Sequence, residues 1–398
     1  LVVDALLGIG RGRPIDQESP IGACLSRLAA ARASAAPPKL IAVDVPSGLD
    51  ADSGAVDPLA VEPDLTVTFG LPKVGMYQAP GGAHVGRVQV IDIGIPAAAM
   101  DSVSLELMTS RSVRELLPAR PEGAHKGTFG RVLVFGGCDR YPGAPALAAR
   151  GAYGSGAGLV TVASTARVQS LVAAAIPEAT WLPQEANAEG FLAGAAANAL
   201  RSEWSRAEAA VVGPGLGNTD ETRALVWAVL PDLAAVAHGS VVDADALNAI
   251  AAFDDGPERV PATAVLTPHP GEMATLVGSS VADVQANRLE VAREAAARFG
   301  CTVVLKGAHS VVAGADGATA LSPFGNPLLA TAGSGDVLAG AIGAYLAQGL
   351  SPFEAACLGV YAHAATGEAM REDLGDAGLL AGDLARKLPS VMREISAP

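Results

Sequence analysis

Ala332-Gly333-Ser334-Gly335-Asp336 runs directly into Val337-Leu338-Ala339-Gly340-Ala341-Ile342-Gly343-Ala344-Tyr345-Leu346. Small residues and one acid ahead of a long apolar stretch read as a tight turn opening a buried helix. The first turn of a helix carries unpaired N–H groups and the positive end of its dipole, so anions are favoured there. Gly333 and Gly335 would let a phosphate reach the main chain with no Cβ in the way. A carboxylate beside a phosphate repels it, so Asp336 needs another task. Taking a proton from an attacking hydroxyl in phosphoryl transfer is one such task; a plain helix cap is the other. The helix dipole is expected to keep Asp336 ionised, and hence a weak base.

Upstream, short apolar runs alternate with helical stretches. Leu1–Asp4, Leu40–Val43, Leu65–Phe69 and Val88–Asp92 read as strands, with a helix over residues 20–33. After a Pro-containing, charge-interleaved stretch between Pro96 and Gly127, a new series begins at Arg131–Phe135. It continues through Leu159–Val162, Ala209–Val212, Gly239–Val242, Ala264–Leu266 and Cys301–Leu305. A single amphipathic helix is expected over 283–299, and two helices, roughly 334–348 and 352–370, close the chain. The pattern predicts an α/β protein of two domains, 1–110 and 111–398, each built on a mostly parallel sheet. The larger one is doubly wound.

Composition bounds the function. Half of the 398 residues are hydrophobic and 17% are charged, so the chain folds around a substantial core. A net charge of −14 argues against a general nucleic-acid or anionic-membrane surface, so any phosphate site must be local. The four cysteines are scattered without CxxC spacing and read as buried thiols of a reducing compartment, the cytoplasm. No strand–GxGxxG–helix unit with a following acid is present, which disfavours a nicotinamide-dependent dehydrogenase.

Four loops of the second series follow strands and should gather on one sheet edge. Gly213-Pro214-Gly215-Leu216-Gly217-Asn218 offers close backbone approach or a tight turn. Asp243-Ala244-Asp245-Ala246-Leu247-Asn248 places two carboxylates at a strand–helix junction, where Asp245 could simply be an N-cap. Thr267-Pro268-His269-Pro270-Gly271-Glu272 stiffens the backbone around one imidazole. Lys306-Gly307-Ala308-His309-Ser310 puts a lysine at a strand end, to meet a phosphate or only solvent. In the first series, Gly8-Ile9-Gly10-Arg11-Gly12-Arg13-Pro14 is a glycine loop with two arginines, a phosphate seat or a surface turn. Asp44-Val45-Pro46-Ser47-Gly48-Leu49-Asp50 puts polar groups at another strand end.

In order, GPGLG, DADALN, TPHPGE, KGAHS and AGSGDVLAG, preceded by PGAPALAARGAYGSGAGLV, resemble the ribokinase-like NAD(P)H-hydrate dehydratases over about residues 121–398. DALLGIG and DVPSGLDADSG resemble the NAD(P)H-hydrate epimerase domain, a Rossmann-like fold. Together the halves resemble the bifunctional NAD(P)H-hydrate repair enzymes. An Asn-rich NGxGGD-type loop of the epimerase family is not in this sequence, so the resemblance implies a partial epimerase domain, expected to be inactive by itself.

The resemblance implies ADP, or ATP in its place, held by Lys306, Gly307, Ala308, His309, Ser310 and Gly335. Ala144, Gly215 and His269 would contact the hydrated dinucleotide, with Asp336 as the base between the two ligands. Mg²⁺ would offset phosphate charge. In the epimerase part, Gly8, Ile9, Gly10, Arg11, Gly12, Arg13, Pro14 and Asp44 would face the substrate, and Asp4 and Ser47 would bind potassium. The implied enzyme is a cytoplasmic homo-oligomer. A small-molecule alcohol kinase of the same fold and a non-catalytic dinucleotide-binding protein are the alternatives.

Overall fold

The structure, a computed structural model, describes residues 1–9, 14–100 and 103–397. It divides into two compact units, Leu1–Ser104 and Leu105–Pro398.

In the first unit, β1 (Val2–Asp4), β2 (Leu40–Val43), β3 (Leu65–Phe69) and β4 (Arg87–Ile91) form a parallel sheet in that order. Helix α1 (Pro20–Arg32) connects β1 to β2; Ser19 caps it by accepting from Gly22 N, and Pro20 supplies the preset φ of a first helical residue. The regular β–α alternation expected here is not kept. Among the described residues the β2–β3 connection carries no α-helix, and the β3–β4 connection carries only two 3₁₀ turns.

The second unit is a ten-stranded sheet. Its strands are β5 (Leu105–Leu107), β6 (Arg131–Phe135), β7 (Leu159–Thr165), β8 (Thr180–Gln184), β9 (Ala209–Val212), β10 (Ser240–Val242), β11 (Ala264–Leu266), β12 (Thr302–Leu305), β13 (Val311–Ala313) and β14 (Thr319–Leu321). Its helices are α2 (Ser110–Glu115), α3 (Ala144–Gly154), α4 (Ala166–Val172), α5 (Ala196–Trp204), α6 (Asp220–Val229), α7 (Asp245–Ala251), α8 (Gly256–Arg259), α9 (Pro270–Val277), α10 (Val281–Ala286), α11 (Arg288–Phe299), α12 (Ser334–Ala347), α13 (Pro352–Leu374) and α14 (Ala381–Ser396).

The sheet order is β5-β14-β13-β12-β11-β10-β9-β6-β7-β8, and only β13 runs against the rest. The order reverses between β6 and β9, the crevice where doubly wound sheets bind ligands beyond their strand C-termini. Strand β5 falls inside the expected 1–110 domain, but it pairs with β14 of the larger sheet, so the division lies at Ser104/Leu105.

The helix expected over 283–299 is two. Asn287 leaves the helical region at φ −131, ψ 42, separating α10 from α11. The chain closes with a third helix, α14, beyond the two expected. Cys24 is exposed whereas the other three cysteines are buried, correcting the expectation of four buried thiols; all four are free. No helix of the described residues is long and apolar enough to cross a membrane.

Helix α12 is buried almost all round, as its continuous apolar sequence requires. It lies against α3 at close range because both carry glycine at the crossing: a Cβ on Gly151 would stand 2.2 Å from Val337 O, and one on Gly340 1.9 Å from Ala148 O. That approach fixes the N-termini of the two helices beside each other, at the C-terminal edge of the sheet.

Candidate active site

Strands β9, β10, β11 and β12 are neighbours in the sheet, so the four loops that follow them line one edge. Gly213–Asn218, Asp243–Asn248, Thr267–Glu272 and Lys306–Ser310 therefore converge, as their order in the sequence implied. The turn before α12 meets them there: a Cβ on Gly335 would lie 3.4 Å from Lys306 Nζ.

Asp243 is the buried anchor of this cluster. Its Oδ1 accepts from Thr267 Oγ1 at 2.8 Å and from Lys306 Nζ at 2.7 Å. Lys306 is therefore not an exposed lysine. Its ammonium, 17% exposed, is tied to Asp243 and stands 3.8 Å from Glu272 Oε2. Burial works against its charged form, but Asp243 and Glu272 outweigh that and hold its pKa above the ordinary lysine value.

Asp336 occupies the third position of α12, with Gly333 at the N-cap in the left-handed region (φ 86). It is not the cap. Its half-buried carboxylate makes no hydrogen bond to a described residue. Burial raises its pKa to about 7, and Asp243, Asp245 and Glu272 reinforce the rise against the pull of Lys306. The expectation of a firmly ionised, weak base is overturned: desolvation and like charges outweigh the helix dipole. A carboxylate poised near neutral pH suits general-base work.

Asp245 is not an N-cap either. Ala244, at φ 52, takes that position, and the Asp245 carboxylate accepts from Gly217 N at 2.8 Å, tying two of the four loops together. Burial raises its pKa as well.

His269 caps α9. Its Nδ1 accepts from Gly271 N and Glu272 N, while Glu272 Oε2 accepts from His269 N at 2.8 Å. This reciprocal box holds the ring in one direction, as the flanking prolines suggested, and links it through Glu272 to Lys306. Burial raises Glu272 in pKa.

Ala144 opens α3, and a Cβ on Gly215 would come within 2.9 Å of the Ala144 Cβ. Those two face each other across the β6/β9 switch point.

Gly307 to Ser310 form a tight turn into β13. Gly307 has φ 137 and lies over the Arg288 guanidinium, where an added Cβ would stand 3.1 Å from its NH1. His309 adopts φ 51, its N donates to Phe324 O, and burial lowers its pKa. Ser310 Oγ donates to Gly307 O. Ala308 sits exposed at the tip.

Sequence reasoning passed over three supports. Arg288 is buried and donates to Leu305 O and Lys306 O, with burial lowering its pKa to about 10. His363 is buried with its pKa lowered to about 4, and its neutral Nε2–H donates to Ser334 O at 2.9 Å, holding the turn before Asp336. Glu272 was seen only as part of a motif. Arg288 and His363 lie far in sequence from the carbonyls they serve, and Glu272 from Lys306, so spacing carries no signal of those contacts. The three-residue spacing of His269 and Glu272 is the one local signal, a capping box.

In the first unit, Asp4 and Ser47 do meet. Ser47 N donates to Asp4 Oδ2 at 2.8 Å and Ser47 Oγ to Asp4 Oδ1 at 2.6 Å, while Leu7 N donates to Ser47 Oγ. Asp44 holds the left-handed conformation (φ 62) and pairs with Lys73 Nζ at 2.6 Å. Burial would raise its pKa, but hydrogen bonds from Lys73, Phe69 N and Thr68 bring it below the usual carboxylate value. Gly8 and Pro14 are exposed, as is Ile9; Gly10, Arg11, Gly12 and Arg13 lie outside the described residues.

Comparison with known proteins bears on this arrangement. Residues 132–390 match the family model described as NAD(P)H-hydrate dehydratase, and residues 1–75 match that of the YjeF-related protein N-terminus. The bifunctional NAD(P)H-hydrate repair enzyme of Moorella thermoacetica is 40% identical over 404 residues, covering 99% of this chain and 73% of that protein. That of Escherichia coli is 34% identical, covering 98% and 71%. The ADP/ATP-dependent NAD(P)H-hydrate dehydratase of Bacillus subtilis, co-crystallised with ATP/Mg²⁺, superposes with a TM-score of 0.60 at 31% identity, covering 74% of this chain and all of that one. With its ribokinase-like second unit and the motifs assembled on one sheet edge, the chain belongs to the family of bifunctional NAD(P)H-hydrate repair enzymes.

Proposed function

We propose that the second unit returns NAD(P)H hydrate to the reduced dinucleotide at the expense of an adenine nucleotide, and that the first unit carries substrate- and potassium-facing residues of an epimerase for the R and S forms of the hydrate. The observation that carries the first part is the convergence of Asp336, Gly335 and Lys306 at the N-terminus of α12 with Ala144 and Gly215 beside them.

Hydroxide is a poor leaving group and phosphate a good one, which gives the nucleotide its purpose. Asp336 takes the proton from the hydroxyl of the S hydrate as that oxygen attacks the terminal phosphorus of ADP. The new C–O–P group then leaves as inorganic phosphate, its C–O bond breaking as the ring nitrogen lone pair forms an iminium, and loss of a proton from the neighbouring ring carbon to solvent restores the dihydropyridine. Gly335 and the Lys306–Ser310 turn bring main-chain N–H groups to the phosphates. Ala144, Gly215 and His269 orient the hydrate.

Asp336 feels the carboxylates of Asp243, Asp245 and Glu272 against the one ammonium of Lys306, an excess of negative charge facing an anionic nucleotide. Mg²⁺ fits that need. Among the described residues no three side-chain ligands converge on a metal position, so the nucleotide phosphates would supply most of its ligands. In the first unit, Asp4 and Ser47 offer hard oxygen donors. The Asp4 carboxylate is buried with no cationic partner among the described residues, which suits potassium.

The test is recovery of the reduced-nicotinamide absorbance when the protein meets S hydrate, Mg²⁺ and either ADP or ATP. Recovery that needs the nucleotide supports the reading. A stable phosphorylated dinucleotide as the end product identifies an ordinary kinase instead.

A further inference from the structure

Helices α3 and α12 begin at the active site and end together about 20 Å away, the length of a fourteen-residue helix. Their C-termini do not close against solid core. With the segment after α2 and the last turns of α14 they enclose a recess of about 590 Å³, within the range of small-molecule pockets. Its walls are apolar: Leu117 and Pro118 on one side, Tyr153 and Tyr345 at the helix ends, Pro389 and Met392 on α14.

The polar groups in this recess are unevenly satisfied. Carbonyls at the helix ends already have donors: Gln348 Nε2 serves Ser155 O and Ala344 O, Arg114 Nε serves Ile395 O, and Arg120 serves Gly156 O. What is unspent is of the other kind. The Arg393 guanidinium at the rim has no hydrogen-bond or ion-pair partner among the described residues. Ser155 is 5% exposed, and its Oγ meets no polar group but the Tyr345 hydroxyl. The Tyr345 hydroxyl beside it donates only to Met392 Sδ, a weak acceptor. A buried hydroxyl left so is costly unless something fills its place.

We propose that this recess is a second ligand site, distinct from the active site, for an aromatic molecule carrying one anionic group. The ring lies between Pro118, Pro389 and Met392, the anion meets Arg393 at the rim, and a polar atom of the ring system reaches Ser155 Oγ and Tyr345.

The probe is 1-anilinonaphthalene-8-sulfonate, an aromatic sulfonate whose fluorescence rises in apolar surroundings, titrated into the whole folded chain. One saturable site per chain is expected, unmoved by excess ADP and Mg²⁺. Arg393→Glu, a change at an exposed side chain, should weaken it at least tenfold, and Met392→Trp, which fills the recess, should abolish it. An unchanged melting temperature of Arg393→Glu shows that the fold survives. The proposal is overturned by the lack of saturable binding, by displacement with nucleotide, or by wild-type affinity in Arg393→Glu. Hydrate turnover plays no part in this readout.

Discussion

Replacing Asp336 with asparagine should make the protein more stable and nearly inactive, with both effects set by one carboxylate. The side chain keeps its size, and its place in the first turn of α12 needs no hydrogen bond from it. In the folded chain the carboxyl titrates at about 7, against 3.8 for the unperturbed group. That gap of roughly three pH units is worth at most about 4 kcal/mol. Solvent at the half-buried carboxylate should leave about 1–2 kcal/mol of it. The folded state holds its proton more tightly than the unfolded state. The cost is therefore absent below about pH 4, grows as pH rises toward 7, and is complete above it. Asparagine carries no charge at any pH. Asp336→Asn should thus melt a few degrees above the wild type at pH 8 and level with it at pH 4. Nucleotide binding should hold or tighten, since one negative charge has left the phosphate site. Dehydration should fall at least about a hundredfold, the usual worth of a positioned base. The wild-type kcat/KM should rise through about pH 7 as the carboxyl loses its proton. Calorimetric melting at the two pH values, beside hydrate turnover, checks all of this. A variant less stable than wild type at pH 8, or one turning over at near wild-type rate, would refute the assignment.

Lys306→Met should lower stability by about 3–5 kcal/mol, because Asp243 is left buried without its cation; Asp243→Asn added to it should recover much of the loss, as chemical denaturation would show. Gly335→Ala adds a methyl at ordinary contact distance, 3.4 Å from Lys306 Nζ, on a backbone that alanine tolerates. Its melting temperature should hold while its nucleotide KM rises at least tenfold; an unchanged KM would move the phosphates away from the α12 N-terminus. Ser47→Ala removes a hydroxyl that donates to Asp4 and accepts from Leu7 N, costing about 1–3 kcal/mol. If Asp4 and Ser47 hold potassium, exchanging sodium for potassium should raise the melting temperature of the wild type and not that of this variant.

Much of this architecture can be read along the chain. Strands such as β6 (Arg131–Phe135) and β12 (Thr302–Leu305) are short, mostly apolar runs followed by glycine or lysine, and helix α12 announces itself by its unbroken apolar face. The convergence of four loops follows from parallel topology alone, since each leaves the same end of its strand. Other features depend on pairings that no local pattern encodes. Asp243 and Lys306 are 63 residues apart, and their contact turns an apparently exposed lysine into a buried clamp. Asp336 sits where a helix dipole should keep it charged, yet burial, and the acids folding brings beside it, push its pKa the other way. The break at Asn287 is also silent in a sequence whose amphipathic period runs through it. The third C-terminal helix escapes because Pro389 interrupts its pattern.

The central claim is that a nucleotide phosphate is placed on the hydrate and then expelled. Phosphorus NMR of the second unit's reaction with S hydrate, ADP and Mg²⁺, run alongside the reduced-nicotinamide absorbance, follows both halves of that sequence at once. One inorganic phosphate and one AMP should form for every reduced dinucleotide regained, with no phosphate ester accumulating. Absorbance recovered without nucleotide consumption, or nucleotide consumed into a lasting phosphorylated hydrate, would contradict it.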